Sequence, residues 1–129
     1  MMSLKSDLID LIIHSINGSI NDYACDWHDE DCATVVLASK GYPGEFKKDT
    51  EIKGLENIKT NQNLQVFHAA TIKSDKKILA NGGRVLSITA KDKSLQSALS
   101  TIYDEVKKID WNECYYRNDI GHKAFKNEH

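Results

Sequence analysis

Little in this chain is suited to joining domains. Its 129 residues include one proline and seven glycines, with no low-complexity tract, internal repeat or flexible linker. That length and composition read as one domain able to bury a core of its own. Cysteine is scarce too. Cys25, Cys32 and Cys114 are odd in number and unevenly spaced, which argues against a disulfide framework and for reduced thiols. Cys25, His28 and Cys32 could form half of a zinc knuckle, but no second ligand pair stands at a suitable spacing, so no metal site is expected. A net charge of -2 offers nucleic acid no broad basic field. No apolar run is long enough to cross a membrane. Met1-Met2-Ser3-Leu4-Lys5 lacks the apolar core and cleavage site of a signal peptide, which makes the expected location cytoplasmic. Glycine-rich phosphate loops of the usual kinds, Asp-x-Asp-x-Asp-Gly cation loops and recognisable serine or cysteine triads are all missing.

What is present centres on Ala80-Asn81-Gly82-Gly83-Arg84-Val85-Leu86-Ser87-Ile88-Thr89-Ala90. Residues 84 to 90 read as a half-buried strand. Gly82 and Gly83 can take a positive φ, or let another backbone or a ligand come close. Arg84 at the strand end could hold a phosphate or carboxylate with its planar fork. The same residues also fit a glycine bulge followed by a surface arginine.

Taken in order, Leu4, Leu8, Leu11, Ile12 and Ile16 recur at helical spacing and Ile9 and Ile13 widen the stripe, with Ser6 or Asp7 as cap and Asn17-Gly18 as the end. His14 on this helix reads as a surface or boundary residue. Residues 18 to 31 form an acidic connector that Tyr23 and Trp27 are expected to anchor to the core. Residues 33 to 38 predict a strand covered on both faces, ended by the Gly41-Tyr42-Pro43-Gly44 turn. Gly54 to Ile58 predicts a short helical turn. Residues 64 to 72 predict one strand with His68 as a hydrogen-bonded core histidine. A hairpin over Lys73 to Lys77 then returns through Ile78-Leu79-Ala80. Ser94 caps an expected helix over 94 to 109 whose apolar stripe is Leu95, Ala98, Leu99, Ile102, Val106 and Ile109. Arg117 and Asp119 are close enough to pair with each other or with a neighbouring segment, and the tail from Lys126 is expected to fray. The whole predicts an α+β domain with a mainly antiparallel sheet and two principal helices.

Four spaced segments carry a resemblance: Val35 to Ser39 with Gly41 to Gly44, Val66-Phe67-His68-Ala69, Asn81 to Leu86, and Tyr116 to Gly121. Together with Lys5-Ser6-Asp7-Leu8 they resemble the C-terminal domain of phosphoribosylamine–glycine ligases, members of the ATP-grasp superfamily. Two positions depart from that pattern: Ala70 replaces a glycine after His-Ala, and Lys40 replaces a common glycine before Gly41.

The resemblance implies an enzyme that joins glycine to 5-phosphoribosylamine in purine biosynthesis, using ATP and magnesium and passing through glycyl phosphate. It implies that the N-terminal and ATP-grasp portions lie outside this chain, as partners in cis or in trans, together with the metal ligands and the nucleotide cleft. This chain alone then has no catalytic residue and no cofactor. Gly82, Gly83 and Arg84 become the first candidates for facing the sugar phosphate, Lys5 and Ser6 the second. Arg117 and Asp119 are expected to secure the domain's own end. An apolar patch is expected where the other portions dock. Two non-enzymatic alternatives are a phosphosugar-binding module and a protein-interaction module left by gene truncation.

Overall fold

Two nine-residue strands, β1 (Asp31–Ser39) and β6 (Arg84–Asp92), pair antiparallel from Asp31 opposite Asp92 to Leu37 opposite Leu86. The computed structural model describes residues 1–125; the expected fraying from Lys126 falls outside the described residues. Along β1, Ala33, Val35 and Leu37 are buried while Thr34 and Val36 face outward. The expectation of a strand covered on both faces is therefore corrected: up to Leu37, β1 keeps one face open. The opposite correction applies to β6, which was read as half-buried. It lies between β1 and β3 (Leu64–His68), and Val85, Leu86, Ile88, Thr89, Ala90 and Lys91 are all buried. A central strand loses its alternation when both neighbours and the helix layer cover it.

The sheet order is β3-β6-β1-β7, with β7 (Cys114–Tyr115) on the outer edge of β1. Helix α2 (Leu95–Val106) packs on it through Ala98, Leu99, Ile102 and Val106. Its start is fixed twice. Ser94 Oγ accepts from Ser97 N at 3.2 Å and Asp31 Oδ2 accepts from Leu95 N at 2.9 Å, satisfying amides that have no partner within the helix. The expected helical run to residue 109 ends instead in tighter turns, with Lys108 N and Ile109 N reaching back three residues to Glu105 and Val106 carbonyls.

The predicted strand over 64 to 72 is two strands in two sheets. Leu64–His68 pairs with β6, while β4 (Thr71–Ser74) pairs with β5 (Lys77–Ala80), and β2 (Thr50–Ile52) completes the order β2-β5-β4. Ala69 and Ala70 make the transfer: Ala69 N donates to Val85 O at 3.0 Å, and Asn81 N donates to Ala70 O at 2.9 Å. Apolar alternation continues across the break, so the change of partner leaves no periodic signal. His68 is exposed, with Nδ1 2.9 Å from Thr71 Oγ1, which corrects its placement in the core. The expected turn near Gly54 is a one-turn 3-10 helix over Leu55–Asn57.

Before the sheet lies helix α1 (Leu8–Ile16), capped by Asp7 Oδ1 accepting from Ile9 N at 2.7 Å. Neither expected anchor of the connector reaches the core: Tyr23 sits against the His14 ring of α1 with centroids 4.8 Å apart, and Trp27 is exposed. Trp27 contributes through its backbone, in an antiparallel bridge with Leu4. No helix among the described residues is long and apolar enough to cross a membrane.

The glycine pair explains one packing constraint. A Cβ on Gly83 would lie 2.0 Å from Tyr42 Cδ2, and one on Gly82 would lie 2.4 Å from the Ala70 methyl. Gly83→Ala is therefore expected to lower stability by about 1–3 kcal/mol in urea unfolding. In a Tyr42→Ala background the same substitution should cost at least about 1 kcal/mol less, because the ring it strikes is gone.

Candidate functional site

The β5–β6 connection is held down from below by Ser39. Its Oγ donates to Gly82 O at 2.7 Å and its backbone N donates to Gly83 O at 2.8 Å, and the residue is almost completely buried. Both glycine carbonyls are thus satisfied within the domain. The N–H groups of Gly82 and Gly83 donate no hydrogen bond among the described residues. Neither glycine has a positive φ. Of the two roles read from the sequence, close approach is the one used, and Tyr42 and Ala70 are what approach.

Arg84 follows directly, at a register shift in which Leu37 faces Leu86 but Ala38 faces Arg84, so that Val85 is passed over. Such a bulge re-aims a side chain at a strand end. Arg84 is exposed and forms no ion pair and no side-chain hydrogen bond among the described residues. It lines a groove of about 200 Å³ with Tyr42, Val36, Tyr115, Tyr116, Arg117 and Ile120. The groove has aromatic walls and two guanidinium groups. Only Arg84 is uncompensated: Arg117 binds Asp119 in a fork, Nε to Oδ1 at 2.9 Å and an Nη to Oδ2 at 2.8 Å. That hydrogen bonding lowers the Asp119 carboxyl below its ordinary range and raises the Arg117 guanidinium.

Arg117 and Asp119 also belong to a structural tie. Tyr103 Oη on α2 donates to Arg117 O at 3.0 Å and accepts from Ile120 N at 3.3 Å. Lys5 and Ser6 are engaged elsewhere, clasping the connector. Lys5 Nζ lies 2.9 Å from Asp26 Oδ2, and Ser6 Oγ accepts from Asp26 N at 2.7 Å. The hydrogen bond between Lys5 and Asp26 raises the lysine and lowers the carboxyl. Neither residue lines the groove beside Arg84. Reading from the sequence missed Ser39, Tyr42 and Tyr115 at this site. Only Tyr42 left a clue, in a glycine-flanked Tyr-Pro turn that must pack on something.

A larger cavity of about 380 Å³ lies between Lys47, Thr50, Trp111 and Glu113. Its charges are mixed, with Lys47 Nζ already 2.9 Å from Glu113 Oε1. An anion would meet no surplus of positive charge there. The groove beside Arg84 is therefore the better candidate for an anionic ligand.

Residues 32–123 match the family described as phosphoribosylglycinamide synthetase, C domain. The chain belongs to that family. A phosphoribosylamine–glycine ligase of Brucella melitensis biotype 1 is 41% identical over 128 residues, covering 99% of this chain and 30% of that protein. One from Synechocystis is 48% identical over 98 residues, covering 76% of this chain and 23% of the relative. The crystal structure of the Thermotoga maritima phosphoribosylamine–glycine ligase superposes with a TM-score of 0.64 at 23% identity, covering 84% of this chain and 27% of that one. That similarity establishes the fold of the phosphoribosylglycinamide synthetase C domain, an α+β arrangement with antiparallel sheets. This chain spans about 30% of the length of its Brucella relative.

Cys114, where β7 meets β1, has a consequence for alkaline stability. Burial pushes its thiol up from 9.0 to about 11, partly offset by the nearby Lys40 charge. The folded chain thus binds this proton more tightly than the unfolded chain does. The resulting stabilisation is complete below pH 9 and disappears as pH rises towards about 11. Urea unfolding at about pH 8 and about pH 10.5 should show a smaller loss over that interval in Cys114→Ala than in the unsubstituted chain.

Proposed function

We propose that this chain is the C-terminal wall of a cytoplasmic, ATP-dependent ligase that joins glycine to 5-phosphoribosylamine in purine biosynthesis. In this reading Arg84 and the N–H groups of Gly82 and Gly83 hold the sugar phosphate. The observation that carries it is Arg84, an uncompensated guanidinium beside two unengaged backbone donors, in a chain that aligns over 99% of its length with a curated ligase. A phosphate dianion needs charge and several directed donors at once, and a guanidinium fork beside consecutive N–H groups supplies both. Lys5 and Ser6 stand second, since Asp26 occupies both of them.

The chemistry belongs to the rest of the ligase, in the same polypeptide or in another chain. Among the described residues no three His, Cys, Asp or Glu side chains converge on a point that could hold a metal ion. The sequence also has no glycine-rich loop of a usual phosphate-binding kind. No bond-making step is assigned to the residues of this chain. What this chain contributes is binding and orientation of one substrate, which lowers the entropy that the reaction itself must lose.

The test is ADP release dependent on glycine and phosphoribosylamine, measured with this chain added to the complementary fragment of a ligase of this family. The mixture should be active and this chain alone inactive. Arg84→Ala should raise KM for phosphoribosylamine by about tenfold or more and change kcat by less than about threefold, as loss of a charge-assisted contact made equally in ground and transition states requires. An unchanged KM would remove Arg84 from the phosphate site.

A further inference from the structure

One row of residues across the sheet runs through the groove beside Arg84. Ala38 on β1 lies directly opposite Arg84 on β6 and, on its other side, directly opposite Tyr115 on β7. All three line the groove. Residues paired across strands in this way point their side chains to the same face. Arg84 and Tyr115 are therefore two strand spacings apart, about 10 Å, with the methyl group of Ala38 as the floor between them. Val36, two residues earlier on β1, continues that floor and is 38% exposed.

The two ends of the row differ in chemistry. At one end Arg84 is a guanidinium without an ion pair or side-chain hydrogen bond among the described residues. At the other end the Tyr115 side chain stands in solvent, 57% exposed. Among the described residues Tyr42 pairs with Phe46 and Tyr116 with Tyr103, whereas Tyr115 packs on no other ring. Phosphoribosylamine would use the first end alone. Its sugar is polar all round, and nothing in it gains from a free aromatic face or from Val36. A ligand that fills the whole row carries a phosphate at one end, a flat apolar ring at the other, and a spacer the size of a pentose between them. That is the make-up of a nucleoside 5′-monophosphate. The charge present sets the number of phosphates. Arg117, the second guanidinium of the groove, is already neutralised by Asp119, so one phosphate group is matched and a triphosphate is not.

We propose that this groove takes a nucleoside 5′-monophosphate, with its phosphate on Arg84 and its base stacked on Tyr115, in competition with the sugar phosphate. The assignment rests on the phosphate role given to Arg84 above and adds a base subsite to it. It is separate from the nucleotide cleft, which the resemblance places in the portion of the ligase outside this chain. No bond is made or broken at the groove. A nucleotide seated there shuts out phosphoribosylamine because both require Arg84.

Calorimetric titration of the full chain with AMP, ribose 5-phosphate and ATP tests this. AMP should bind about tenfold or more tightly than ribose 5-phosphate, the gain that stacking one base on one aromatic ring supplies. ATP should bind no more tightly than AMP. Tyr115→Ala should bring AMP to within about twofold of ribose 5-phosphate, and Tyr115→Phe should keep the difference. Thermal unfolding of both variants should match that of the unsubstituted chain, because the side chain is exposed, and this separates a lost base contact from a misfolded edge. Arg84→Ala should weaken both monophosphates by about tenfold or more. Equal affinity for AMP and ribose 5-phosphate, both weakened in Arg84→Ala, would overturn the base subsite and leave the phosphate reading standing. A preference for AMP that survives Tyr115→Ala would overturn it as well, as would tighter binding of ATP. Binding of neither monophosphate, or binding indifferent to Arg84→Ala, would overturn the base subsite and the phosphate reading together.

Discussion

The antiparallel pairing of β1 with β6 sets the positions of β3, β7 and α2. β3 and β7 add to its two edges, α2 covers one face, and Ser39 at its end holds the carbonyls of Gly82 and Gly83. The register shift after Leu37 lies at the same end, next to Arg84. The backbone that carries Arg84 is thereby fixed at a bulge by the most buried part of the molecule. Precision of that kind is what a binding group needs from a scaffold.

Local order was legible where a pattern and a cap agreed. Helix α2 follows from Ser94 and a clean stripe, and the β4–β5 hairpin from a polar tip between apolar runs. Partner choice was less legible. Residues 64 to 72 carry one continuous apolar alternation, and nothing in it distinguishes pairing with β6 from pairing with β5. Burial of β6 was underestimated for a related reason: Ser87, Thr89 and Lys91 look outward-facing in the sequence, yet Thr89 and Lys91 are covered by the neighbouring strands. The Thr89 hydroxyl is satisfied there by Thr34 Oγ1 at 2.8 Å.

The site divides in the same way. Gly82, Gly83 and Arg84 stand out because adjacent glycines before an arginine break a strand pattern. Tyr42 and Tyr115 reach the same groove from distant parts of the chain, and only folding brings them there. The amphipathic pattern of α1 was readable, but not the direction in which it points. Periodicity reports that a helix has an apolar side; it is silent on whether the chain in hand supplies the surface that side needs.

Between the two sheets, the Ala70 methyl occupies the space that a Gly82 Cβ would enter, at 2.4 Å. One methyl group fits there and two do not. The two positions are therefore sterically coupled. A glycine at 70 would make room for an alanine at 82, and the order of the two changes is constrained, since alanine at 82 is accommodated only after residue 70 has lost its side chain. A methyl group at one of these positions excludes one at the other, even though the two residues lie on different connections of the chain.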